Sequence, residues 1–155
     1  MNELSKEDIR ILEKLQADGR ITNSALAETV SMSASPCWRR VRQLEEEGII
    51  RGYSANLDRR QIGLGVLVYV TIQIDDHSDA DATRFERRVQ ELSEVISCHS
   101  VSGSADFMLT VVCRDLDSYA EFSMNTLRRL PGIKTMTTNF ALKEIKPFRG
   151  LPLGL

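Results

Sequence analysis

Paired cysteines, clustered histidines and long apolar runs are all missing from this sequence, and each absence removes a class of function. The three cysteines, Cys37, Cys98 and Cys113, are odd in number and far apart, which fits neither a disulfide framework nor a paired zinc spacing. The two histidines, His77 and His99, are too isolated to build a histidine metal site. The expectation is no metal, no cofactor, and buried thiols in a reducing compartment. No stretch approaches the roughly 20 apolar residues that span a bilayer, and Met1 to Arg10 is too polar for a signal peptide. A cytoplasmic protein with no membrane partner is expected. Catalytic equipment is equally sparse, with no glycine-rich phosphate loop and no serine elbow. Cys98 and His99 are adjacent, but neighbours on a strand point to opposite faces and cannot form a nucleophile pair. No catalytic residue is expected.

A surplus of one charge is also lacking. The formal net charge is −2, and residues 1–60 carry ten basic and ten acidic residues. The basic charge is instead local. Arg39, Arg40 and Arg42 fall within four positions, and Glu28 is the one acid between Asn23 and Arg42. Contact with DNA needs a basic patch rather than a basic protein.

What is present divides into two segments, with a domain over 1–60, a hinge over 61–65 and a second domain over 66–155. In the first, Ser5 can cap a helix, with Asp8 in the place of a capping-box acid. Ile9, Leu12 and Leu15 recur at helical spacing and Gly19 stops the run. Thr22 caps a second helix bearing Leu26, Ala27 and Val30. The turn Ser31-Met32 leads to Ser33, the cap of a third helix, where Pro36 costs little because first-turn amides have no intrahelical acceptor. That helix runs to Glu47 and ends at Gly48. Residues 49–57 read as a short hairpin or wing. Gly63 and Gly65 mark the hinge.

The second segment changes grammar. Val66, Val68, Val70, Ile72 and Ile74 alternate as in a strand. A helix with Phe85, Val89 and Leu92 on one stripe follows. Strands over Val95–Val101 and Asp106–Arg114 flank a turn at Gly103. A helix capped by Ser118 and Glu121 comes next, then a strand from Ile133 to about Lys146. The order β-α-β-β-α-β is a ferredoxin-like split unit, giving an α+β fold. Its sheet reads as apolar on both faces, through Leu67 and Tyr69 as well as Val66 and Val68, and through Met108 and Val112 as well as Phe107 and Leu109. A second copy is the simplest cover for the spare face, so a homodimer is expected.

On a helical wheel the third helix gathers Cys37, Val41 and Leu44 into a packing stripe. That place also makes a redox role for Cys37 unfavourable. Arg39, Arg42 and Gln43 lie opposite, with Trp38 and Arg40 on the flanks. Arg pairs bidentately with guanine and Gln with adenine in the major groove. Ser33 and Ser35, at the helix N-terminus, suit phosphate. Trp38 suits either the helix edge or the DNA backbone. Glu45 to Glu47 would repel phosphate and belong away from the duplex.

Several strings, in order and spacing, carry a resemblance over nearly the whole chain. They are Asp18-Gly-Arg-Ile-Thr-Asn23, Ser33-Ala-Ser-Pro-Cys-Trp-Arg-Arg-Val41 with Leu44-Glu45, Gly48-Ile-Ile-Arg-Gly-Tyr53, Val101-Ser-Gly-Ser-Ala-Asp-Phe-Met-Leu109, Leu130-Pro-Gly-Ile133 and Glu144-Ile-Lys146. Together they resemble the Lrp/AsnC, or feast/famine, regulators. The resemblance implies an N-terminal winged helix-turn-helix and a C-terminal ferredoxin-like βαββαβ (RAM-type) dimerisation domain that often assembles into octamers. It also implies an amino acid or related metabolite as effector, bound between subunits, and control of genes of amino-acid metabolism. Carried onto this chain, the helix-turn-helix is Asn23 to Arg42, with Pro36 in the DNA-facing set. The effector cleft maps to Ser102, Gly103, Ser104, Ala105 and Asp106, with Met136 and Thr138 on the last strand. Chemically, a glycine turn offers backbone amides to a carboxylate, and Asp106 can hold an ammonium group. Many relatives carry an acid just after the turn glycine, where this chain has Ser104-Ala105. The rival reading is a metabolite-binding or partner-binding module without DNA affinity, and salt dependence of DNA binding separates the two.

Overall fold

The structure is a computed structural model that describes residues 4–75 and 79–153, so His77 lies outside the described residues. Three helices open the chain: α1 (Lys6–Ala17), α2 (Asn23–Thr29) and α3 (Ala34–Glu46). The capping box forms as the sequence suggests, with the Asp8 amide donating to Ser5 Oγ at 3.1 Å and the Ser5 amide donating to Asp8 Oδ2 at 2.8 Å. Thr22 Oγ1 accepts from the Ala25 amide at 3.2 Å and starts α2. Ser33 is the N-cap of α3 by backbone conformation alone, without a side-chain bond.

The inner face of α1 differs from expectation. Ile11 and Leu12 are buried, Leu15 packs at the edge and Ile9 is half-buried. The remaining inner position belongs to Asp8, a polar residue that an apolar pattern does not register. Residues 49–57 form no strand ladder, so the expected hairpin does not form. The start of this segment is held by the Ile50 amide donating to the Leu44 carbonyl at 3.0 Å. Further along, the Tyr53 hydroxyl donates to Glu45 Oε1 at 3.0 Å.

The second unit contains β1 (Val66–Ile74), α4 (Asp79–Gln90), β2 (Val95–Ser100), β3 (Phe107–Cys113), α5 (Leu116–Asn125), a single 3-10 turn (Leu127–Arg129) and β4 (Ile133–Phe140). The strands lie in the order β2-β3-β1-β4 with every neighbouring pair antiparallel, which is the ferredoxin-like arrangement. Alternation sends Val68, Val70, Ile72, Phe107, Leu109 and Val111 to the face where α4 adds Phe85 and Val89 and α5 adds Tyr119 and Phe122. Phe85 and Phe107 pack with ring centroids 4.5 Å apart. The cap of α5 is Asp115, whose carboxylate accepts from the Ser118 amide at 2.7 Å, so the helix begins before the expected Ser118 cap. β4 ends at Phe140, short of the expected Lys146.

The other sheet face is mixed rather than uniformly apolar. Leu67, Tyr69, Met108 and Val112 form an apolar band on β1 and β3, while β4 adds Thr135, Thr137 and Asn139. The expected hinge is a closed turn. The Leu64 amide donates to the Arg59 carbonyl at 2.7 Å, and Arg59 returns its guanidinium to the Leu64 and Gly65 carbonyls at 2.9 and 2.7 Å.

The chain's contacts divide it into one unit up to Asn56 together with the tail from Lys146, and a second unit over Leu57–Ile145. The tail, expected within the second domain, thus belongs with the helices. Gln16 Nε2 donates to the Leu151 carbonyl at 3.0 Å, the Leu151 amide donates back to Gln16 Oε1, and Leu153 packs against the helical core. Gly150 permits this with φ +119, and a Cβ there would stand 2.8 Å from Gln16 Oε1.

Candidate functional site

The helix-turn-helix is positioned by apolar packing beneath α3. Cys37 and Leu44 are buried and Val41 packs beside them. Burial pushes the Cys37 thiol pKa up, which leaves it a protonated packing group. With that stripe inward, Ser33, Ser35, Pro36, Trp38, Arg39, Arg42 and Gln43 are all exposed. Asn23, half-buried, donates from Nδ2 to the Ala34 carbonyl at 3.0 Å and ties the start of α2 to that of α3. Arg39 makes no ion pair among the described residues. The Arg42 guanidinium sits 5.7 Å from the centroid of the Trp38 ring and 3.6 Å from Glu45 Oε2. Trp38 therefore lies at the exposed helix edge, beside a cation.

Arg40 is placed differently from its flank on the wheel. Its Nε and one terminal nitrogen both donate to the carboxylate of Asp8, which is 0 % exposed. Its other terminal nitrogen donates to Gln43 Oε1 at 2.8 Å, and Gln43 Nε2 donates on to Glu47 Oε1 at 2.7 Å. The guanidinium, with help from Ser5, holds the Asp8 carboxyl down at a pKa of about 2. The same pairing raises the Arg40 pKa. No periodicity links Asp8 to Arg40, which are 32 residues apart.

The expected effector turn lies between β2 and β3. Ser102, Gly103 and Ser104 are exposed, and Gly103 has φ +122. Asp106 is tied to β1: its amide donates to the Ile72 carbonyl at 2.9 Å and its Oδ2 accepts from the Ile74 amide at 2.8 Å. Gln73, which the sequence did not single out, joins this turn to β4. Its Nε2 donates to the Ser104 carbonyl, and its Oε1 accepts from Thr135 Oγ1 at 2.7 Å. Register separates Met136 and Thr138 from that contact. They pair with Ile72 and Val70 and so face the helices, whereas Thr135 pairs with Gln73 on the other face. Met136 packs on the core and Thr138 shares a 2.7 Å hydroxyl bond with Tyr119. Two open clefts, of about 480 and 340 Å³, are lined by other residues than this turn.

A three-helix unit that exposes arginines on its third helix, joined to a separate ferredoxin-like domain, defines a DNA-binding transcription regulator of the sensor-coupled class. Comparison with known proteins gives the particular family. Residues 4–51 match a winged helix-turn-helix DNA-binding model, and residues 67–151 match the Lrp/AsnC ligand binding domain. The chain belongs to the Lrp/AsnC family of ligand-modulated transcription regulators. It is 40% identical over 145 residues to the Bkd operon transcriptional regulator of Pseudomonas aeruginosa, covering 94% of this chain and 95% of that one. It is 39% identical over 144 residues to the leucine-responsive regulatory protein of Rhizobium meliloti, covering 93% and 92%. A transcriptional regulator from Neisseria meningitidis, solved as a complex with L-Met, superimposes with a TM-score of 0.93 at 37% identity over 97% of each chain.

Proposed function

We propose that α3 enters the major groove of double-stranded DNA, with Arg39 and Arg42 reading base edges and with Ser33, Ser35 and the first-turn amides on phosphate. Trp38, Pro36 and Asn23 border that surface. The observation that carries the reading is the opposition on α3 of a buried Cys37–Val41–Leu44 stripe and an exposed arginine pair. Glu45 and Glu47 are engaged by Tyr53 and Gln43 at the far end of the helix, away from the N-terminal phosphate contacts.

An amino acid or related metabolite is the proposed effector, acting at the turn 102–106 where two subunits meet. Support comes from the exposed Gly103 turn braced by Asp106 and Gln73, and from the L-Met complex of the Neisseria relative. Ser104-Ala105 supplies no charge, so recognition falls to backbone amides and to Asp106. The partner is a second copy of the chain, packed sheet to sheet over the Leu67, Tyr69, Met108 and Val112 band and assembling further to an octamer. The names of the relatives favour targets in amino-acid metabolism and a role without catalysis. Among the described residues no helix is long and apolar enough to cross a membrane, in keeping with a cytoplasmic regulator.

The test is fluorescence anisotropy on duplexes from the gene's own upstream region, titrated with salt, with and without pooled amino acids. Tight, salt-steep binding that shifts with one pool is expected. No binding at low salt on several promoters would instead favour a partner-binding module. Asp106→Ala should remove the effector shift and leave DNA binding intact, and a normal response in that variant would take Asp106 out of the site.

A further inference from the structure

The arginine triplet of α3 does not act as three equal contacts. We infer that Arg40 is a positioning residue: pinned by the buried Asp8 carboxylate, it sets the rotation of α3 and holds the Gln43 amide, so that base reading falls to Arg39 and Arg42.

The inference stands on a continuous chain of polar contacts running from α1 across to the end of α3. Ser5 Oγ donates to Asp8 Oδ2 at 2.7 Å and the Ser5 amide donates to the same oxygen at 2.8 Å. Arg40 supplies two further donors to that carboxylate, one to each oxygen. A carboxylate with no exposed surface needs this many donors, because a buried charge without partners is strongly unfavourable. The fork of a guanidinium has a fixed geometry, so two bonds to one carboxylate fix direction as well as distance. α1 is therefore tied to α3 at a defined angle about the α3 axis. Apolar burial of Cys37, Val41 and Leu44 is by contrast non-directional.

The consequence for reading DNA lies in the remaining donor. Arg40 gives its last terminal nitrogen to Gln43 Oε1, and Gln43 Nε2 is given to Glu47 Oε1. Adenine would need both ends of that amide at once. Both ends are taken within the helix, and Gln43 serves as the outer link of the brace. Among the described residues Arg39 has no ion-pair partner, and Arg42 has a 3.6 Å contact with Glu45 and lies 5.7 Å from the centroid of the Trp38 ring.

This rests on α3 being the DNA-facing helix, and the test separates the two claims. Binding of the full chain to a duplex from its own upstream region is measured across a salt series for the parent, Arg39→Ala, Arg42→Ala, Arg40→Met, Asp8→Asn and the double variant Asp8→Asn with Arg40→Met. Trp38 emission reports whether each helical unit is folded. A positioning role predicts that Arg40→Met and Asp8→Asn each weaken binding by about ten-fold, with the slope of log affinity against log salt unchanged. It further predicts that the double variant, which leaves no unpaired buried charge, recovers to within about three-fold of the parent. A direct phosphate contact predicts that Arg40→Met lowers the slope by about 0.9 and that the double variant is no better than Arg40→Met. Either of those results overturns the inference, as does parent-like binding by Asp8→Asn. Should Arg40→Met fail to fold, Asp8→Asn and the double variant decide alone. Unchanged affinity in both Arg39→Ala and Arg42→Ala would overturn the choice of helix face, and the inference with it.

Discussion

The two units of this chain are stabilised by different means. Among the described residues, the ferredoxin-like unit gathers fourteen buried ones around one sheet face, and its helices and strands interlock through large aliphatic and aromatic side chains. The helical unit has seven among its described residues, an alanine and a cysteine included, and a charged carboxylate occupies one of its inner positions. Small cores supply little surplus stability. The helical unit adds the Asp8–Arg40 pair and a tail drawn from the far end of the chain. A DNA-binding unit built in this way has its geometry set by directional bonds as well as by apolar packing, which suits a surface whose orientation is its function.

The largest expected effect tests that contrast directly. Leu44→Ala should cost the helical unit about 2–5 kcal/mol by leaving a cavity. Trp38 is the single tryptophan and lies on α3, so its emission follows that unit alone. Its denaturant midpoint should fall sharply while the sheet's far-ultraviolet signal unfolds as in the parent. Loss of both signals together would show that the two units are one cooperative block. Next in size, Arg39→Ala and Arg42→Ala should each weaken specific DNA binding by about 1–3 kcal/mol, read by anisotropy, with Trp38 melting unchanged. Equal affinity in both would mean that another surface faces the duplex.

Proton linkage sharpens the comparison further. Asp8 is held at a pKa of about 2, below its ordinary value of 3.8. A depressed carboxyl stabilises the folded unit above its unfolded value, and that contribution is lost as pH falls through the folded one. The helical unit should therefore lose on the order of 1–2 kcal/mol between about pH 4 and pH 2, after allowance for solvent reaching the partly exposed Arg40. The charges of Glu47 and Glu7 also act on Arg40. Asp8→Asn should flatten the pH dependence of the Trp38 transition. A parent-like slope in that variant would show that the acid sensitivity does not come from Asp8.

Much of this was legible in the sequence, for physical reasons that differ by residue. Helix and strand periods are local, so the three N-terminal helices, their Ser5 and Thr22 caps and the β-α-β-β-α-β order follow from neighbours a few positions apart. The Cys37–Val41–Leu44 stripe follows from the same period. Side-chain bonds between distant residues leave no such trace. Asp8 reads as a capping acid, and nothing nearby shows that it also receives Arg40. Met136 and Thr138 lie on the expected strand, yet which face they take depends on register with β1, and register placed Thr135 beside Gln73 instead. Residues 49–57 read as a hairpin or wing, but no strand ladder forms there, and Tyr53 returns to Glu45 and Ile50 to Leu44. Asp115 outcompeted Ser118 as the cap of α5 because its carboxylate reaches the Ser118 amide one turn earlier.

The tail offers the smallest effect and the most discriminating one. It leaves the sheet after β4, yet its contacts are with the helical unit. Gln16 acts toward it as a neighbouring strand would, accepting from the Leu151 amide and donating to the Leu151 carbonyl. These bonds are exposed to water, so Gln16→Ala should destabilise the helical unit by only about 0.5–1.5 kcal/mol. Gly150→Ala should cost at least as much, because its φ of +119 disfavours any side chain and the new Cβ meets Gln16. Both changes should move the Trp38 transition and leave the sheet transition in place. Movement of the sheet transition instead would mean that the tail serves the unit it is attached to. A change in neither would reduce the tail to a passive extension, and Leu153 to an incidental cover of the helical core.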